Sequence, residues 1–264
     1  MTTLNVGDYQ IVPIIDGVLH SSIDSFLGKG SKPEDWRGTS TSLRTDNTVE
    51  LALGGFLVRG PGDRVVLIDA GLGPLQRPGM NGGLMLDNLR AAGVETGDVT
   101  DVLFTHLHFD HVGWATQKGN VVFENATYRC DARDWDWFVG PDEGATRKLN
   151  PLRDRIETWD GPGTVLPGID IQMAPGHTPG STVIVVSHKT DRAVLLGDVV
   201  HCPAELIDDE WGTMGDVDPE LARRTRAALN RELEGSTAHV VAAHFPGLEF
   251  GRLLGGQGKR QWVV

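Results

Sequence analysis

The chain has 264 residues, with 24 Lys+Arg against 36 Asp+Glu, a formal charge of −12, 39% hydrophobic residues, 34 Gly and two Cys. A chain this long buries a sizeable core without disulfide staples, so it is read as one domain over 1–264, with 1–47 as an N-terminal extension or lid segment. The acidic balance repels phosphate backbones and argues against a nucleic-acid partner. Apolar runs such as Val65–Ile68 and Val240–Ala243 fall far short of the roughly 20 residues of a membrane span, and the start lacks a secretory pattern, so no membrane partner and a cytoplasmic location are expected.

Runs of β-branched and apolar residues bounded by Gly, Pro, Asp or Asn predict strands at Tyr9–Ile15, Thr48–Arg59, Arg64–Asp69, Asp101–Thr105, Asn120–Phe123, Thr182–Ser187, Ala193–Leu196 and His239–Ala243. Between them, helices are predicted over Leu84–Ala92, ended by Gly93, over Asp131–Val139 and around Leu152–Trp159. The clearest helix runs over Asp218–Leu233, with Asp218 as N-cap and Pro219 at its first turn. Arg223, Arg224 and Arg226 are assigned mainly to its wet side. Ser21–Asn47 has no clear periodicity. Interleaved strands and helices with several hairpins indicate an α/β protein with sheets of mixed direction. Cys130 and Cys202 lack CxxC spacing and read as buried free thiols.

Two halves of the chain are faintly alike. Val65–Asp69 (VVLID) resembles Val194–Asp198 (VLLGD), and Val102–His106 (VLFTH) resembles Val240–His244 (VVAAH), each an apolar strand ending in Asp or His.

The densest chemistry is His106-Leu107-His108-Phe109-Asp110-His111, three imidazoles and a carboxylate directly after a predicted strand. His106 and His108 point the same way from an extended segment, while Asp110 and His111 reach a neighbouring point as the chain turns, which suggests two adjacent metal positions. A metal needs further ligands. His177 in the Pro175–Gly180 turn, Asp198 and His244 supply them from other strand ends beside Gly or Pro.

This set resembles the metallo-β-lactamase superfamily, whose motif is HxHxDH followed by a distant His, a bridging Asp and a final His; the wording is most like the acyl-homoserine lactonase and methyl parathion hydrolase branches. The resemblance implies an αββα sandwich of two mixed sheets flanked by helices. It also implies one metal on His106, His108 and His177, a second on Asp110, His111 and His244, and Asp198 between them. Two divalent ions are implied, zinc first, with iron, manganese or cobalt open. The activity implied is a dinuclear hydrolase that uses a shared hydroxide to open a lactone or cleave a small carboxylic ester, with Asp110 as proton shuttle. A phosphotriesterase is the alternative, favoured by the Gly197-Asp198-x-x-His201 form. A mononuclear iron oxidoreductase of the persulfide dioxygenase kind is the alternative from another class.

Other residues carry two readings each. His201 either donates to a substrate oxyanion or caps a loop. Asp69 either orients a ligand from behind or satisfies the Asp69-Ala70-Gly71 turn. Phe109 is a pocket wall or core, and Trp135, Trp137 and Phe138 are core or a substrate wall. Phe26, Leu27 and Trp36 form a lid over a small-molecule substrate or a homodimer contact. His20, His188 and His239 stand outside the pattern.

Overall fold

The computed structural model describes residues 2–26, 48–139, 144–212, 215–256 and 258–264. In chain order the strands are β1 (Leu4–Val6), β2 (Tyr9–Ser22), β3 (Thr48–Arg59), β4 (Val65–Ile68), β5 (Gln76–Arg77), β6 (Met80–Asn81), β7 (Asp101–Leu103), β8 (Thr116–Gln117) and β9 (Asn120–Val121). They continue with β10 (Thr127–Asp131), β11 (Ile156–Trp159), β12 (Gly163–Leu166), β13 (Ile169–Met173), β14 (Thr182–His188), β15 (Asp191–Leu195), β16 (His239–Val241), β17 (Arg252–Gly256) and β18 (Lys259–Val263). The larger sheet has the order β11-β10-β7-β4-β3-β2-β6-β5, with β1 paired to β2, and the smaller has the order β12-β13-β14-β15-β16.

Side-chain alternation explains why the sheets stack. Along β4, Val66 and Ile68 point into a core shared with Ile184, Val186, Leu195 and Val241 of the smaller sheet. Leu67 points the other way, into a second core with Val102, Met85 and Leu89 of the Met85–Ala91 helix. On the far side Leu229 and Leu233 of the Pro219–Leu233 helix join the shared core. Helices therefore cover both outer faces, as the αββα expectation requires. Among the described residues no helix is long and apolar enough to cross a membrane.

Several local expectations are corrected. Leu152, Ile156 and Trp159 recur at helical spacing, yet Asn150–Leu152 is a 3-10 turn and Ile156–Trp159 is strand β11, parallel to β10. Pairing along the open edge of β10 outweighs a weak local pattern. The Asn120–Phe123 strand shrinks to β9, while β1, β5, β6, β8, β10, β12, β13, β17 and β18 are additional to the predicted strands because their apolar signal is short or mixed with polar residues. Arg226, assigned to a wet face, is 1% exposed. Within the 1–47 segment, β1 and β2 are built into the larger sheet, and Leu27 and Trp36 lie outside the described residues.

A bulge between Ile15 and Gly17 turns Asp16 inward. Its buried carboxylate accepts hydrogen bonds from Leu72 N (2.8 Å), Gly73 N (2.8 Å), Gly83 N (3.0 Å), Met85 N (2.9 Å) and Trp114 Nε1 (2.8 Å). One side chain thereby ties the loop after β4 to the segment just beyond His111.

Candidate metal centre

Strands β4 and β7 run parallel, as do β15 and β16, so Asp69, His106, Asp198 and His244 emerge at the same end of the sandwich. The two faintly similar halves of the sequence thus form equivalent parallel pairs, one per sheet. Thr182 N donates to Thr105 O (2.9 Å) and stitches the sheets together there. The β13–β14 turn adds His177. Gly176 in that turn has φ +139°, and a Cβ on it would stand 2.4 Å from the backbone of Ala222, so only glycine lets the turn press against the Pro219–Leu233 helix.

The seven expected ligand residues are brought together in two adjacent groups, His106, His108, His177 and Asp198 in one and Asp110, His111 and His244 in the other. Asp198 touches both. Its Oδ2 lies 3.0 Å from His244 Nε2, 3.5 Å from His177 Nε2 and 3.7 Å from His106 Nε2, and its Oδ1 lies 3.3 Å from His111 Nε2. Asp110 Oδ2 is 3.6 Å from His244 Nε2 and 4.0 Å from His111 Nε2.

The donor set fits divalent metal on two observations. His108 Nδ1 faces His106 Nε2 at 3.0 Å and His177 Nε2 at 2.9 Å. Three imidazole nitrogens cannot all satisfy one another with a single N–H per neutral ring, whereas ligands about 2.0–2.1 Å from zinc in a tetrahedron stand roughly 3.3 Å apart. In addition, His111 Nε2 and Asp198 Oδ1 are buried without a hydrogen-bond partner among the described residues, an arrangement that a cation would satisfy.

Each of four ligand rings is held from behind. His106 Nδ1 meets Thr105 Oγ1 (3.2 Å), His111 Nδ1 meets Asp69 Oδ2 (2.9 Å), His177 Nδ1 meets Asp216 Oδ1 (3.0 Å), and His244 Nδ1 meets Ala52 O (2.8 Å). This decides between the two readings of Asp69. Its carboxylate leaves its own turn and takes Thr105 N (2.8 Å), Thr105 Oγ1 (2.7 Å) and His111, from a backbone at φ 58° that non-glycine residues rarely adopt.

Charge is partitioned across the site. Burial, reinforced by the neighbouring His111, holds the His106 pKa well below its ordinary value, and burial with His177 brings His108 down to about 4. Both rings are neutral at pH 7, the form that ligates metal. For His111 and His244 burial acts downward too, but Asp198 overrides it and raises both. Asp198 is itself pushed up by burial and, more strongly, down by His244, His111, His201 and His106, so it stays ionised.

His201 is brought to the same site. Its Nε2 is 3.5 Å from Asp198 Oδ2, and its ring lies between those of His177 (centroids 4.9 Å) and His244 (5.8 Å). Burial lowers its pKa, but Asp198 and Glu205 carry it up to about 10. Phe26 packs edge-on against it at 5.9 Å, and Phe138 packs edge-on against His108 at 5.3 Å, whereas Trp137 is solvent-exposed. Phe109, 54% exposed, is not core. It opens a cavity of about 480 Å³ lined also by Leu72, Pro74, Leu75, Met80 and Arg77. His20, His188 and His239 lie elsewhere, bonded to Glu50, Asp8 N and Arg252.

Two site-building residues escape sequence reasoning. Asp216 carries no signal beyond its acidity. Asp134, on the Ala132–Phe138 helix, accepts from Leu107 N (3.1 Å), Thr178 Oγ1 (2.9 Å) and Gly180 N (2.6 Å), clamping the His106–His111 segment to the His177 turn. Its full burial on a helix of mixed pattern is visible only after folding.

The fold and these ligands define a metal-binding α/β sandwich, and residues 55–244 match the Metallo-beta-lactamase superfamily. The chain belongs to that family. Among curated proteins it is similar to the N-acyl homoserine lactonase AiiA of Bacillus thuringiensis subsp. kurstaki, 28% identical over 148 residues covering 54% of this chain and 56% of that one. It is also similar to the N-acyl homoserine lactonase AttM of Rhizobium radiobacter, 29% identical over 128 residues covering 42% and 44%. The chain thus spans about half the length of these relatives. Among solved structures it is similar to AidC, described as a dizinc quorum-quenching lactonase, with TM-score 0.89 and 22% identity over 99% of this chain and 96% of that one. It is also similar to the hydrolase AbOPH, with TM-score 0.86 and 25% identity over the same shares.

Proposed function

We propose that this protein is a metal-dependent hydrolase that opens a lactone bearing an apolar acyl chain. The observation that carries the reading is the pair of adjacent ligand groups sharing Asp198, with an apolar cavity starting at Phe109, the residue between ligands His108 and Asp110. The lactonase relatives support the same substrate class. Two divalent ions, zinc first, supply a hydroxide nucleophile at neutral pH and polarise the acyl oxygen when bound.

The chain's own residues do the rest. His106, His108 and His177 would hold one ion and Asp110, His111 and His244 the other, with Asp198 within reach of both groups. Asp110 accepts the proton of the attacking water and passes it to the alcohol oxygen that leaves as the ring opens. His201 Nε2 donates a hydrogen bond to the acyl oxygen as charge develops there. Phe26, edge-on to His201, and Phe109, at the cavity, wall the substrate, and the cavity takes the acyl chain. Nothing in this chemistry needs a nucleic-acid or membrane partner. The whole chain is proposed to act as one domain.

Elemental analysis and turnover test this together. The expectation is two ions per chain and a kcat/KM for acyl-homoserine lactones that rises roughly fourfold per methylene until the cavity is filled, at about 0.8 kcal/mol per buried CH₂. A chelator should abolish turnover and zinc restore it. Two bound ions with no lactone turnover, or faster turnover of a methyl phosphotriester than of any lactone or aryl ester, would overturn the reading. One iron per chain with oxygen consumption would replace it by the oxidoreductase.

A further inference from the structure

The Pro219–Leu233 helix sends a charged residue into the protein beneath the metal centre. Arg226 is 1% exposed, and its Nη1 stands 3.1 Å from Oε1 of Glu205, which is wholly buried. The other guanidinium contacts are Nη1 to Val199 O (3.3 Å) and Nη2 to Trp211 O (2.8 Å). One turn on, Asn230 Nδ2 donates to Glu205 O (2.8 Å) and Asp209 Oδ1 (2.9 Å). The arrangement is expensive: among the described residues Arg226 Nε, Glu205 Oε1 and Asn230 Oδ1 are buried without a hydrogen-bond partner, Oε1 meeting Arg226 only as an ion pair, and a buried ion pair returns little net stability after desolvation.

What the pair does engage is His201. Glu205 Oε2 accepts from His201 N (2.6 Å) and Cys202 N (3.2 Å) and stands 3.6 Å from His201 Nδ1. The opposite ring nitrogen, Nε2, is the one facing Asp198. A carboxylate paired with an arginine thus hydrogen-bonds the backbone, and stands at ion-pair distance from the ring, of the one site histidine that neither ligand group contains.

We propose that Glu205 and Arg226 are positioning residues for His201, holding its Nδ1 toward the protein so that Nε2 is presented to the substrate's acyl oxygen. The assignment rests on the hydrolase reading for its catalytic consequence, but the ring orientation stands apart from it. The competing role for Glu205 is structural, since it also caps the Pro203–Ile207 helix through Cys202 N.

A double-mutant cycle on kcat separates the two. In metal-loaded protein with unchanged ion content, Glu205→Gln is expected to lower kcat about 10- to 100-fold with KM within about twofold of wild type. In a His201→Ala background the same substitution should cost nothing more, because the group it positions is gone. Since Glu205→Gln strands the Arg226 charge, Glu205→Gln/Arg226→Met, which removes both charges, serves as the second variant. Additive losses in the cycle, or a raised KM with kcat intact, would overturn the proposal. If wild-type protein turns over no lactone, ester or phosphotriester, the hydrolase reading fails, and crystal structures decide the positioning role. A His201 ring displaced in the double variant, with His177 and His244 unmoved, supports it, and an unmoved ring overturns it.

Discussion

Asp134 offers a quantitative test of how the metal loops are held. Its carboxyl is wholly buried, and burial raises its pKa from 3.8 to about 6 despite the hydrogen bonds from Gly180, Thr178 and Leu107. At about 1.4 kcal/mol per pH unit, that difference corresponds to about 3 kcal/mol. The sign follows from which state binds the proton more tightly. The folded protein does, so the favourable contribution is fully present below pH 3.8 and lost as pH rises through about 6. Above that the fold carries a buried charge. Asp134→Asn cannot titrate, and it leaves one of the three donors facing an amide NH₂ at a cost of about 1–3 kcal/mol. At pH 7.5 this cost and the relief of the buried charge nearly cancel, so the variant should lie within about 2 kcal/mol of wild type. At pH 4 wild type regains its protonated carboxyl, and the gap should move about 2–3 kcal/mol in its favour. Urea unfolding of metal-free protein at both pH values measures this, the metal-free form being chosen because acid protonates the ligand imidazoles. A gap that stays constant or moves toward the variant would refute the account of Asp134 as a buried, strongly desolvated clamp.

Two further substitutions probe the turn and the ligand supports. Gly176→Ala should destabilise the fold by about 1–3 kcal/mol, because φ is +139° and the new Cβ meets the Ala222 backbone; an unchanged melting temperature would mean the turn has room to shift. Asp216→Ala removes the carboxylate behind His177 and should weaken one of two ions about 10- to 100-fold. Competition with a chromophoric chelator reads this, and two ions bound as tightly as in wild type would contradict it.

The candidate metal-binding set was legible in the sequence because a metal ligand set is a constraint on residue type. Only His, Asp and a few others donate to a divalent ion, and four of the seven expected donors lie within the six residues of HLHFDH, which announces itself without any fold. The strands beside the distant ligands were legible for a related reason: Val183–Val186, Ala193–Leu195 and Val240–Val241 are apolar on both faces and their strands are punctuated by Gly, Pro or Asp.

What remained open depends on groups whose role is set by what packs against them. Asp69 reads as a turn residue in its own tripeptide, and only the approach of Thr105 and His111 makes it a ligand support. Arg226 sits among polar residues on a helix and reads as solvated, until Glu205 arrives from another segment to receive it. The Leu152–Trp159 stretch follows a helical spacing that strand pairing with β10 overrules. Sequence therefore determined which atoms can bind metal and which strands end beside them. Tertiary structure alone decided which carboxylates stand behind those ligands, because hydrogen bonds and buried charge are relations between segments far apart in the chain.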